Sequence, residues 1–107
     1  MEKGPPRDDE GRIVLRMSPD YGLAWPLSDA MWPSAWGPVD WDAEIGPELV
    51  ERLRSWARSF TEHADEESGE FRAPMTREAF DARGRELAEA LRARIGERYR
   101  VDLELWF

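Results

Sequence analysis

The residues best placed by type and spacing to do chemistry are carboxylates. Asp40, Asp42, Glu44 and Glu51 occupy the first, third, fifth and twelfth places of "DWDAEIGPELVE". A calcium loop sets its oxygen ligands at that spacing. Three features argue against calcium: the sixth place holds Ile45 where the sharp turn needs glycine, Pro47 intrudes, and no helix is predicted before the run. The acids read better as a solvated approach to a helix N-terminus, where the dipole favours negative charge. His63, the only histidine, stands beside Asp65, Glu66 and Glu67. One imidazole at a helix end reads as a solvated cap near the last carbonyls; an enzyme would need a cleft gathering it with carboxylates. None of the six serines sits in a nucleophile elbow or beside a base, and no glycine-rich phosphate loop is present. With no cysteine, disulfides, zinc–thiolate sites and thiol catalysis are excluded. The expectation is a non-enzymatic protein with no catalytic residue, metal or cofactor.

A different chemistry, adhesion, is written in "GLAWPLSDAMWPSAWGPVDW", residues 22–41. It holds four of the six tryptophans (Trp25, Trp32, Trp36 and Trp41) and three prolines. Each indole can bury about 150–250 Å². Trp25 and Trp41 adjoin a predicted strand and helix and read as core. The loop can be a lid whose rings fill gaps the small sheet leaves open; if any rings stay partly exposed as anchors for a partner, Trp32 and Trp36, flanked by Ala30, Ser34 and Ala35, are the choices. Asp29, Asp40, Asp42 and Glu44 would then form an acidic rim that steers the encounter.

Charge narrows the partner. The chain of 107 residues has a formal net charge of −8. Residues 1–70 carry −9 and residues 71–107 carry +1. An acidic chain repels phosphate backbones, which argues against nucleic acid and for a cationic protein. Arginines 77, 83, 85, 92 and 94 alternate with acids and read as an ion-paired helix face. No segment approaches a membrane span, and "MEKGPPRDDEGR" lacks the apolar stretch of a signal peptide, so the expected location is cytoplasmic.

These residues must be held by a small scaffold. Residues 1–11 are expected to form a flexible tail, and 12–107 a single domain. "RIVLRM" alternates Ile13, Leu15 and Met17 with Val14 and Arg16, predicting a strand. "SPDYG" is a turn, and "LAWPL" could return as an edge strand, since Pro26 has no N–H. Prolines and glycines argue against regular structure until about residue 47. "PELVERLRSWARSFTEHA" then repeats Leu49, Leu53, Trp56 and Phe60 at helical spacing, with Pro47 in its first turn. Thr76 is the predicted N-cap of a second helix with the stripe Phe80, Gly84, Leu87, Leu91 and Ile95. A glycine inside a helix costs about 1 kcal/mol. On the apolar stripe, Gly84 predicts the close approach of another element, such as an aromatic ring. "RYRVDLELWF" alternates Tyr99, Val101, Leu103 and Leu105 with polar residues and Trp106, and is the best strand signal. The predicted class is α+β, in the order β-(β)-loop-α-α-β. A two- or three-stranded sheet carries two amphipathic helices on one face, with the tryptophan- and proline-rich segment as a loop.

"DYG" followed by "WPL" (Asp20–Gly22 and Trp25–Leu27), then "ELVERLRSWARSF" and "GRELAEALRARIG", resembles a family of small actinobacterial proteins. The resemblance covers about residues 13–105 and implies an intracellular bacterial origin. It carries over no activity and no catalytic residue.

The residues thus favour a protein–protein interaction module: an acidic immunity or antitoxin-like protein that occludes a cationic partner. The alternative is an accessory protein that binds a small molecule or peptide in a tryptophan-lined pocket. Oligomeric state has no signature in the sequence.

Overall fold

In the computed structural model, which describes residues 4–105, strand β1 (Ile13–Met17) runs parallel to strand β2 (Tyr99–Leu103). Ile13 pairs with Tyr99, Leu15 with Val101 and Met17 with Leu103. The first and last strands therefore meet, and a parallel pair needs a long crossover between them. Among the described residues, that crossover holds the three α-helices: α1 (Trp41–Ile45), α2 (Pro47–His63) and α3 (Arg77–Ile95). The alternation seen in the sequence decides the two faces of the sheet. Leu15, Met17, Tyr99 and Val101 are buried toward the core, whereas Arg16, Arg100 and Glu104 are exposed. Ion pairs Arg16–Glu104 and Arg100–Asp102 line the outer face.

Residues 23–27 do not return as a strand. Their pairing with β1 stops at one Met17–Leu27 bridge and a Ser18 N–H bond to the Pro26 carbonyl. Pro26 has no donor with which to extend a ladder. The Ser28 hydroxyl accepts the Arg16 N–H, and the Pro6 carbonyl accepts that of Val14. This edge of β1 is covered by loop and side-chain groups rather than by a third strand. Asp8 ties the approach to β1 together, accepting the backbone N–H of Arg12 at 2.8 Å and its side chain at 2.9 Å.

The two long helices follow their sequence signals. Pro47 opens α2, and Leu49, Leu53, Trp56 and Phe60 are buried along it. The Thr76 hydroxyl caps α3 by accepting the Ala79 N–H at 3.1 Å. Between them lies an aromatic stack: Trp56 and Phe80 are 4.6 Å apart and nearly parallel at 11°. The indole N–H of Trp56 donates to the Phe80 carbonyl at 3.0 Å, so the ring is fixed in orientation as well as place. It lies over Gly84, the close approach the stripe predicted. Leu103 and Leu105 are half-buried against the core, while Trp106 lies outside the described residues. No helix of the described residues is long and apolar enough to cross a membrane.

Candidate partner-binding surface

Two single-turn 3-10 helices, Ser28–Met31 and Ser34–Trp36, and the short α1 organise the tryptophan-rich segment. Prolines deny it longer helices by removing donors, so side chains must hold it. The principal tie is Asp29. One carboxylate oxygen accepts the indole N–H of Trp25 and the other that of Trp41, each at 2.9 Å. The two rings lie 5.9 Å apart, and Trp41 reaches on to Tyr99 of β2 at 5.8 Å. Trp41 is buried and Trp25 half-buried, so both complete the core edge as their positions suggested.

Trp32 and Trp36 pack against each other edge to face, with centroids 5.6 Å apart at 60°. Both are half-buried, and Trp32 also touches the core. They sit in a run of ten residues, 30–39, without a charged side chain, in a chain that is 36% charged. Their neighbours Met31, Pro33, Ser34, Ala35, Gly37 and Pro38 are all exposed. Met31 is 78% exposed, and Leu23 is exposed on the same cleft, next to Trp25. Neither was singled out by sequence reasoning. The available signal was the interruption of charge around Met31; nothing local marks Leu23, whose exposure follows from the failure of 23–27 to form a strand.

The four acids assigned to the rim have distinct duties. Asp29 is half-buried and engaged by the two indoles. Asp40 is exposed and caps α1, accepting the Ala43 N–H at 3.2 Å. Asp42 is exposed on the first turn of α1. Glu44 forms an ion pair with Arg98, whose guanidinium it holds more firmly protonated than usual. Burial, reinforced by the Glu44 charge, also raises the Tyr99 phenol above its ordinary value. Glu51 turns to Arg58 at 2.8 Å, so the four carboxylates of the calcium-like spacing do not converge. Among the described residues no group of three or more histidine and acidic side chains is placed to hold a metal. His63 lies in the last turn of α2 with Nδ1 3.1 Å from the Ser59 carbonyl, as a helix-end cap would. The surface can therefore offer apolar contact, indole faces and negative charge.

A family model described as Serratia CdiI immunity protein-like matches residues 13–103. No curated protein and no solved structure matches the chain.

Proposed function

The chain belongs to the Serratia CdiI immunity protein-like family, and from that premise we propose that it is an immunity protein that neutralises a toxin by covering it. Membership supports a protein partner and a binding role rather than catalysis. The observation that carries the placement is the uncharged segment 30–39, with Trp32 and Trp36 stacked at its centre and Asp40, Asp42 and Glu44 following it. Aromatic anchors inside a polar rim are the usual anatomy of an interface hot spot. The net charge of −8 favours a cationic partner, whose approach it would accelerate. The clefts beside Trp25 are open grooves, which suits a protein loop better than an enclosed small molecule. The absence of cysteine suits a reducing cytoplasm as the place of action.

The test is growth rescue. Cells producing a candidate toxin, chosen by screening the genes that neighbour this one, should survive with the wild-type chain. They should fail with the double variant Trp32→Ala, Trp36→Ala, provided circular dichroism shows that variant folded. Full protection by the folded double variant would remove the anchors from the reading; no protection by the wild type would remove the function.

A further inference from the structure

One cleft at this surface contains its own cation. Trp25 and Trp41 line it, Asp29 lies between their indole N–H groups, and Asp40 and Asp42 stand exposed at its rim. Arg54 of α2 enters the same cleft and sets its guanidinium over the Trp25 ring, 5.9 Å from the centroid. A guanidinium is attracted to the negative face of an indole and stacks well on it. Among the described residues Arg54 makes no ion pair, although three carboxylates line the cleft with it. Three acids against one base leave a local formal charge of −2. Arg54 therefore shows that a guanidinium fits on this ring, and the charge balance shows that the cleft is not neutralised by it.

We propose that this cleft receives an arginine side chain of the partner, which stacks on Trp25 where Arg54 now lies, with Asp40 and Asp42 at the rim supplying negative potential rather than contact ion pairs. Arg54 is exposed and its long side chain can swing aside without disturbing α2. Asp29 keeps the indoles oriented and remains their acceptor. The proposal rests on the reading of a basic protein partner and gives that partner a recognisable residue.

The probe is Nα-acetyl-arginine methylamide, titrated into the intact chain while the tryptophan indole N–H signals are followed by NMR. Neutral Nα-acetyl-citrulline methylamide serves as its isostere. The arginine probe should move the Trp25 and Trp41 signals, and citrulline should leave them in place. Arg54→Gln should tighten binding at least threefold by vacating the ring. Asp42→Asn combined with Asp40→Asn, in which asparagine still caps α1, should weaken it at least threefold. Equal shifts with citrulline, or no tightening in Arg54→Gln, would overturn the proposal. The titration needs no toxin, so its failure with growth rescue intact would sink only the arginine site. Failed rescue with the titration intact would sink only the immunity reading.

Discussion

A Cβ added to Gly84 would stand 2.7 Å from Cζ2 of Trp56 and 3.2 Å from its Cε2. The indole cannot easily retreat, because Phe80 stacks on it and accepts its N–H. Overpacking of this kind costs about 1–3 kcal/mol, against about 1 kcal/mol gained in helix propensity. Gly84→Ala should therefore lose about 1 kcal/mol net and lower Tm by about 4–8 °C, with Gly84→Leu worse. Thermal unfolding followed by circular dichroism checks this, and a raised Tm in Gly84→Ala would show that the ring yields.

Asp29 should matter to stability as well as to binding. In Asp29→Asn one oxygen of the two-indole acceptor becomes a donor facing a donor. Leaving a partly buried group unpaired costs about 1–2 kcal/mol. Urea unfolding should show that loss, and the indole N–H signals of both Trp25 and Trp41 should shift together. Movement of only one signal would mean the two rings are held independently.

Trp56 and Trp36 should separate in their cost to stability when truncated. Trp56→Ala empties the centre of the core and should cost about 3–5 kcal/mol. Trp36 is half-buried and leans chiefly on Trp32, so Trp36→Ala should cost about 1 kcal/mol, the value of an aromatic pair. Denaturant midpoints measure both, and acrylamide should quench Trp36 more readily than Trp56.

Acid should loosen the turn that follows α2. The Asp65 carboxylate accepts the N–H of Glu67 at 2.8 Å and of Ser68 at 3.2 Å, and these bonds hold its pKa below the ordinary 3.8. The folded chain thus binds this proton less tightly than the unfolded chain. The resulting stabilisation is complete above 3.8 and is lost as pH falls through the lowered value. Asp65→Asn does not titrate, so it should narrow the gap in Tm between about pH 7 and about pH 3. An unchanged gap would place the acid sensitivity elsewhere.

What could be read from the sequence was whatever repeats locally. Leu49 to Phe60 and Phe80 to Ile95 declare their helices by spacing. Thr76 and Pro47 mark the starts, and Gly84 announces a ring it does not name. The alternation around Leu15 and Val101 gives two strands and their buried faces. Nothing in either strand says that they pair with each other, or in parallel, because that depends on how the helices between them cross. The short α1 escapes notice because five residues carry barely one turn of periodicity. At the candidate site, the tryptophans and acids were visible as types. The division of labour among the acids was not: Asp29 serves Trp41 from twelve residues away, and Glu44 serves Arg98 from 54 away. Such long-range partners are chosen by the fold.

The pairing of β1 with β2 also sets the order of events during synthesis. Ile13 leaves the ribosome before the helices that follow it, but its strand partner, Tyr99, is added only after α1, α2 and α3 have been made. A nascent chain can collapse its helices but cannot close its sheet, and Trp41 cannot rest on Tyr99, until the last strand is free. The surface around Asp29 is thus completed by β2, so a truncated product lacking β2 should leave Trp41 without its Tyr99 support even though it retains every tryptophan of the loop.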